Sequence, residues 1–239
     1  MLVVPGLLDE AEIAELRARA EWVASGQAEH VAAARLQVEP RVARGEEHAD
    51  NYADSLRKMS HIAFCDEVFA AHARNEKILD VVEAPLGPDL KLYQDQLFMK
   101  PPRVGSRQRY HQDAPVGFHI DPPDMVTCWA ALDDATIDNG CLWMLPGTHC
   151  YGYIDQDEWH SYEEQALAGD LPAERPIELK AGDCSFHHGL ILHSSRLNRS
   201  ARQRRGYATH YVSARCRYTG NTEHNDALLV RGHSHEGCI

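Results

Sequence analysis

The second half of the chain contains a series of short strand-like runs, and this feature limits the possible folds more than any other. The runs cover residues 125–132, 141–145, 176–179, 184–193 and 206–212. Turn signals separate them at Asp138-Asn139-Gly140, Pro146-Gly147 and Ala181-Gly182-Asp183. Many short strands joined by Gly, Pro and Asn turns predict a mainly β protein with a jelly-roll or cupin-like barrel, flanked by α-helices.

A helical section is expected before the barrel. Asp9 should cap a first helix in a capping box with Glu12. One apolar stripe of this helix comprises Ile13, Leu16, Ala20 and Val23. From residue 90 the pattern alternates, which predicts a strand with one shared face. That face carries Leu90, Leu92, Gln94, Gln96 and Phe98. We predict one domain over residues 1–239, with a helical section at about 8–85, a barrel core at about 88–215 and a tail at 216–239.

Composition excludes several classes of partner. The net charge of −12 disfavours nucleic acid and anionic membranes. No run of 18 apolar residues and no signal-peptide pattern are present in the sequence, which predicts a cytoplasmic protein without a membrane span. The seven cysteines are scattered without C-x-x-C pairs, so reduced thiols are expected.

A metal site is suggested by His111 and Asp113. Residues two apart in a strand point to the same face, so this pair can offer an imidazole nitrogen and a carboxylate oxygen to one point. A further imidazole from a crossing strand would complete a two-His, one-carboxylate site, which leaves three positions open and is typical of non-haem Fe(II) oxygenases. His193 is the candidate third ligand.

Other histidines compete for this role. His119 and Asp121 repeat the H-x-D spacing and stay open as an alternative metal pair. His187 shares its strand face with His193 by parity. A continuous extended strand would place it about 20 Å from His193, too far to share the metal.

Several motifs in the correct order resemble a known family. They are Tyr110-His111-Gln112-Asp113, the run 125–136, the run 139–149 that contains N-G-C-L-W and P-G-T-H, and the distal residues 181–183, 193–195, 198, 200 and 204–205. Over about residues 85–215 the chain resembles the phytanoyl-CoA dioxygenase family. The resemblance implies a double-stranded β-helix that binds Fe(II) and uses 2-oxoglutarate and O2 as co-substrates. It implies no particular substrate, because the family acts on many unrelated small molecules.

The resemblance also implies a binding site for 2-oxoglutarate. It places the anchoring arginine at Arg204, and a guanidinium suits this role because it binds a carboxylate with two parallel hydrogen bonds. Arg205 should point to the opposite face. Ser195 shares the face of His193 and could donate its hydroxyl to the same carboxylate. Further positions that map to the co-substrate site are Trp129 and Gln94.

The expected substrate is a small polar metabolite or natural-product intermediate. Candidate contacts to it are Gln96, His119, Asp121, Trp143 and Trp159. Acidic residues in the segments expected at the barrel mouth favour a neutral or cationic molecule, such as one that bears an amine. The basic segment 103–109 is the main argument against this choice. Asp113 occupies the position that iron halogenases leave empty for halide, so hydroxylation, or another oxidative outcome without halide, is expected.

Two other functional classes stay open at this point. The chain could be a metal-dependent isomerase or hydrolase, or a non-catalytic binding protein on the same barrel. Arg204 and Ser195 count against both classes, because neither class needs an anchor for a dicarboxylate.

Overall fold

Most of the helices form before residue 90. The computed structural model describes residues 1–114, 119–220 and 227–239. Asp9 caps the first helix, α1 (Glu10–Ala24), and its carboxylate accepts hydrogen bonds from the backbone N–H groups of Ala11 and Glu12. The Glu12 side chain accepts from the backbone N–H of Asp9. The predicted capping box is therefore confirmed. The other helices are α2 (Pro40–Ala43), α3 (Tyr52–Ser55), α4 (Glu67–Ala73), α5 (Glu76–Leu86) and α6 (Trp159–Ala168).

Strands dominate the rest of the chain. In chain order they are β1 (Leu2–Val4), β2 (Leu36–Val38), β3 (Leu56–Ser60), β4 (Leu90–Phe98), β5 (Gln108–His111), β6 (Ile120–Asp121), β7 (Met125–Ala131), β8 (Leu142–Met144), β9 (Arg175–Ile177), β10 (Cys184–His188), β11 (His193–Ser195), β12 (Gly206–Ser213), β13 (Arg217–Tyr218) and β14 (Leu228–Arg231). The larger sheet has the order β1-β10-β7-β12-β4-β3-β2, with β14 also paired to β4. The smaller sheet has the order β5-β11-β8-β9. Two antiparallel sheets flanked by helices confirm the predicted jelly-roll core.

The larger sheet uses both of its faces, as strand β7 shows. Cys128 and Ala130 pack into a core with the helices on one side. Trp129 and Ala131 belong to a second core between the two sheets. Because neighbouring side chains on a strand point to opposite faces, one strand supports the helices and also lines the space between the sheets.

A β-bulge changes the predicted face of β4. The register between β4 and β12 shifts between His210 and Tyr211, so that β4 carries one extra residue, Tyr93. Leu92 therefore packs with the helices, whereas Gln96 lines a cleft between the sheets. The prediction that five alternate residues of β4 share one face is wrong, because a bulge reverses the alternation at that point.

The predicted continuous strand over residues 184–193 is also wrong. β10 ends at His188 in the larger sheet, and β11 begins at His193 in the smaller sheet. Between them the chain turns, and the carbonyl oxygen of Gly189 accepts hydrogen bonds from the backbone of Asp113 and Ala114. This turn carries the chain from one sheet to the other directly at the predicted metal site.

The segments outside the barrel core are joined to it. β2 and β3 extend the larger sheet, so the section at 8–85 is not purely helical. Strand β14 pairs with β4, and His235 Nε2 lies 2.8 Å from Asp89 Oδ2, so the tail is docked on the sheet. All seven cysteines are free thiols. Among the described residues, no helix combines the length and apolar character that a membrane span requires.

Candidate metal and co-substrate site

The predicted metal ligands meet at the edge of the smaller sheet. β11 pairs with β5 so that His193 lies directly opposite His111, and their ring centres are 4.1 Å apart. Asp113 Oδ1 lies 3.8 Å from His111 Nε2 and 3.7 Å from His193 Nε2. One ligand atom from each of the three residues falls within 4.8 Å of the others. This is the only group of metal-ligating side chains with such spacing in the described part of the chain.

The donor atoms of both imidazoles are fixed by backbone contacts. His111 Nδ1 lies 2.9 Å from the carbonyl oxygen of Arg109, and His193 Nδ1 lies 3.1 Å from that of Ile191. A carbonyl only accepts, so each Nδ1 carries the hydrogen and each Nε2 offers its lone pair towards Asp113. Burial and the neighbouring His193 lower the pKa of His111 to about 4, so the ring is neutral at pH 7. Neutral imidazoles with one carboxylate fit Fe(II).

The second oxygen of Asp113 is held by the larger sheet. The hydroxyl of Thr127 donates to Asp113 Oδ2 at 2.8 Å, and His210 Nδ1 lies 2.9 Å from the same hydroxyl oxygen. The single hydroxyl hydrogen goes to the carboxylate, so His210 Nδ1 is the donor to Thr127. His187 Nε2 approaches Asp113 Oδ2 to 3.4 Å. These contacts leave Oδ1 directed at the imidazoles of His111 and His193.

These supporting residues form a row across the larger sheet. Thr127 on β7 is the direct cross-strand neighbour of His187 on β10 and of His210 on β12, and His210 in turn faces Gln94 on β4. The expected 20 Å separation of His187 from His193 is wrong: their ring centres are 4.9 Å apart, because the chain turns between β10 and β11. Sequence reasoning also missed Thr127 and His210, whose role follows only from strand register.

Arg204 lies at the inner end of the same cleft. The side chain is buried, and Nη2 donates to the carbonyl oxygen of Gly140 at 3.0 Å. Its Nε is buried and has no hydrogen-bond partner in the described part of the chain. The guanidinium carbon lies 5.2 Å from the centre of the Trp129 ring. Burial lowers the pKa of Arg204 to about 10, so it stays protonated at neutral pH. A buried cation without a carboxylate partner is suited to bind an anion.

The residues around Arg204 complete this inner pocket. Ser195 lines it, and its hydroxyl oxygen accepts a hydrogen bond from Lys100 Nζ at 2.9 Å, which leaves the hydroxyl hydrogen free for another acceptor. Sequence reasoning missed Lys100, because an isolated lysine before two prolines carried no signal. Gly206 leaves room for Trp129, since a Cβ there would lie 1.9 Å from the indole ring. Arg205 faces away and binds Asp133, as predicted.

Three predicted contacts lie at the outer part of the cleft. Gln94 and Gln96 line it beside His210, and the Trp159 ring centre is 6.2 Å from that of His111. Gln94 does not line the inner pocket around Arg204, so its predicted contact with 2-oxoglutarate has no support from its position. Gln94 lies next to His210 in the outer part of the cleft, where the substrate is expected.

The other predicted substrate contacts lie elsewhere. Trp143 points away from the cleft and stacks under Arg196, whose guanidinium carbon is 3.6 Å from the ring, whereas its neighbour Leu142 lines the cleft. His119 packs near Tyr218 and is exposed, as is Asp121. The described cleft walls include none of Trp143, His119 and Asp121. The alternative metal pair is therefore not supported.

Comparison with known proteins agrees with this site. The family model for phytanoyl-CoA dioxygenase matches residues 1–206. The chain belongs to the phytanoyl-CoA dioxygenase family. The peroxisomal phytanoyl-CoA dioxygenase of Homo sapiens is 31% identical over 174 residues, which cover 67% of this chain and 51% of the human protein. The chain thus spans about half the length of this relative.

Solved structures show the same fold. The nickel complex of the non-haem monooxygenase ThoJ is 26% identical, with a TM-score of 0.69 over 99% of this chain and 83% of ThoJ. EctD from S. alaskensis, solved with 2-oxoglutarate and 5-hydroxyectoine, is 20% identical, with a TM-score of 0.76 over 97% of this chain and 82% of EctD. The predicted family and the predicted barrel fold are both confirmed.

Proposed function

We propose that this protein is an Fe(II)- and 2-oxoglutarate-dependent dioxygenase that hydroxylates a small polar molecule. One observation carries the proposal: the triad of His111, Asp113 and His193 opens onto the same cleft as the buried guanidinium of Arg204. A metal with open positions and a separate carboxylate anchor are the two parts that 2-oxoglutarate chemistry needs.

The residues of the cleft have distinct roles in this reaction. His111, Asp113 and His193 would hold Fe(II), which would supply O2 activation, so that 2-oxoglutarate and O2 give succinate and CO2 while a substrate C–H group becomes C–OH. Arg204 and the Ser195 hydroxyl bind the distal carboxylate of 2-oxoglutarate. Trp129 covers this pocket and excludes water from it. Thr127 holds Asp113, so that one carboxylate oxygen serves the metal and the other does not.

The alternative functions are less well supported by the cleft. A metal-dependent hydrolase or isomerase, or a binding protein, needs no second cation deep in the pocket. Arg204 is 2% exposed and has no carboxylate partner within the described residues. Burying an unpaired guanidinium is costly, and this favours a function that provides its partner.

The acidic residues on which the expected charge of the substrate was based do not line the cleft. Glu46 and Glu47 are two of the acidic residues in the segments expected at the barrel mouth, and they bind Arg44 and Arg41 outside the cleft. Of the insertion around Asp155, the acidic residues Asp155, Asp157 and Glu158 are not among the described residues that line the cleft. The net charge therefore does not describe the pocket, although a polar substrate stays our proposal, as does a cytoplasmic location.

Anaerobic titration tests the proposed function. Protein with Fe(II) should develop a weak visible charge-transfer band when 2-oxoglutarate is added, and air should then give succinate. The variants His111→Ala and Asp113→Ala should lose Fe(II) binding and the band. His119→Ala is the matched control and should keep both. A band that persists in His111→Ala but disappears in His119→Ala contradicts the assignment, and absence of any band in the wild type rejects the function.

A further inference from the structure

One carboxylate in the cleft has no role in metal or co-substrate binding. Glu39 is 1% exposed and lines the cleft together with Lys100, and its Oε1 is buried without a hydrogen-bond partner among the described residues. It lies at the N-terminus of α2, but its side chain does not cap that helix. A buried carboxylate oxygen without a partner is costly, so a donor supplied by a ligand would remove the penalty.

A guanidinium in the same wall also lacks an ionic partner. Arg57 donates from Nη1 to Ser106 Oγ at 3.0 Å and from Nη2 to Gln108 Oε1 at 2.6 Å. Both acceptors are neutral, and no ion pair is formed by Arg57 in the described residues. These two contacts fix the guanidinium plane, and its remaining N–H groups are available to an anion. Arg57 lines the cleft together with His111 and Asp113.

Strand pairing places these two charges close to each other. Val38 on β2 pairs with Leu56 on β3, so Glu39 and Arg57 directly follow two paired residues. The register shifts at this point, so that Arg57 is the extra residue on β3, while Glu39 directly follows β2, and both side chains line the same cleft. Their side chains do not contact each other as an ion pair, because Arg57 turns towards Ser106 and Gln108.

We infer that the substrate of the proposed dioxygenase is a small zwitterion, an amino acid or close derivative. Arg57 would bind its carboxylate and Glu39 its ammonium group. A molecule with both charges a few ångströms apart would satisfy both side chains, whereas a purely cationic amine would leave Arg57 unpaired and a simple acid would leave Glu39 unpaired. The inference rests on the proposed function, since it names the substrate of the same cleft.

The test uses matched ligands and matched variants. The probes are free α-, β- and cyclic amino acids, each also as its methyl ester and its N-acetyl form, added to the anaerobic complex with Fe(II) and 2-oxoglutarate. Binding is read as a shift of the visible band, and turnover as succinate release. A zwitterion that binds should lose about 10-fold or more in affinity when either charge is blocked, because each block removes hydrogen bonds to a charged group.

The variants assign each charge to its partner. In Arg57→Gln the free acid and its ester should bind equally, and in Glu39→Gln the free amine and its N-acetyl form should bind equally, because the group removed has no partner left. Arg44→Gln and Glu47→Gln remove one charge of each sign outside the cleft and should keep the full discrimination.

Three results would overturn the inference. The first is that no zwitterion shifts the band, and the second is that uncharged or singly charged compounds bind better than zwitterions. The third is that Arg57→Gln weakens 2-oxoglutarate itself, which would place Arg57 in the co-substrate pocket. In each case a band with 2-oxoglutarate alone leaves the proposed function intact, whereas loss of that band in the wild type rejects both.

Discussion

Replacing Thr127 with valine tests whether the larger sheet tunes the metal site. The exchange keeps the shape of the side chain and removes only the hydroxyl that donates to Asp113 Oδ2 at 2.8 Å. It also interrupts the contact through which His210 Nδ1 reaches the carboxylate. Asp113 would then be free to rotate, so that both of its oxygens compete for the metal and one open position is lost.

The expected cost can be worked out from that one contact. A hydrogen bond to a charged group contributes about 1.5–3 kcal/mol, and 1.4 kcal/mol is a factor of ten in affinity. Thr127→Val should therefore raise the Kd for Fe(II) about 10- to 100-fold, which is also the range observed when partners of metal ligands are removed. Thr127→Ser keeps the hydroxyl and should restore most of the affinity.

Anaerobic competition between the protein and a chromophoric chelator measures this Kd. Thr209→Val is the matched control, because Thr209 is an equally buried threonine one residue before His210, with its hydroxyl near the carbonyl oxygen of Cys128. It should bind Fe(II) like the wild type. If Thr127→Val binds Fe(II) as tightly as the wild type, or if Thr209→Val loses as much, the contact does not support the metal and the reasoning is refuted.

Three further changes probe other parts of the structure. Arg204→Gln should raise the Kd for 2-oxoglutarate roughly 30-fold or more, because the loss of a buried charge pair costs about 2–5 kcal/mol of binding free energy. Arg205→Gln is the control and should change this Kd little. If calorimetry shows equal losses of affinity for both variants, the assignment of Arg204 is contradicted. Gly206→Ala should displace Trp129 and weaken 2-oxoglutarate, and unchanged binding would contradict this. Burial raises the pKa of Asp95 from 3.8 to about 6 in the folded protein. The unfolded protein therefore loses this proton at a lower pH than the folded protein does. As a result, the free energy of unfolding falls as the pH rises from about 4 to 6. Asp95→Asn should remove up to about 3 kcal/mol of this dependence in urea unfolding, and parallel pH curves for both proteins argue against it.

The residues of the candidate triad and the candidate anchor could be identified from the sequence, partly by local spacing and partly by motif order. His111 and Asp113 are two residues apart in a strand, and this alone directs both side chains to one point. The motif resemblance then pointed to His193, which begins β11, and to Arg204, which lies two residues before β12 and lines the same cleft. Position within an ordered motif was sufficient for these residues, since the fold of the family determines their arrangement.

The alternation of side chains between the two faces of a strand gave wrong predictions wherever the chain left a regular strand. His187 was expected far from the metal because the run to His193 reads as one strand, yet the chain turns into the other sheet between them. Trp143 was assigned to the cleft although its neighbour Leu142 occupies that face. Thr127 gave no signal at all, because its role depends on which strands lie beside β7, and non-local pairing is not encoded in local spacing.

The net charge of the chain does not predict which charged residues line the cleft. The acidic residues that dominate the net charge of −12 pair with surface arginines or lie in exposed segments. The two charges that we assign to substrate binding, Glu39 and Arg57, lie directly before α2 and on β3, in the section that the sequence predicts as helical. A sum over the chain cannot separate solvated charges from buried ones, and only the buried ones discriminate between ligands.

The division of the metal site between two sheets has a consequence for folding. His111 and His193 belong to the smaller sheet, whereas the side chains that orient Asp113 come from the larger one. Residues 80 to 100 positions apart must therefore meet before the three ligands converge, and the unfolded chain has no such site. A ligand that binds only the native state stabilises it by mass action, about 2.7 kcal/mol at a concentration 100 times its Kd. The population of folded molecules should thus rise with the supply of Fe(II), and iron limitation should shorten the lifetime of this protein by leaving more of it open to proteolysis.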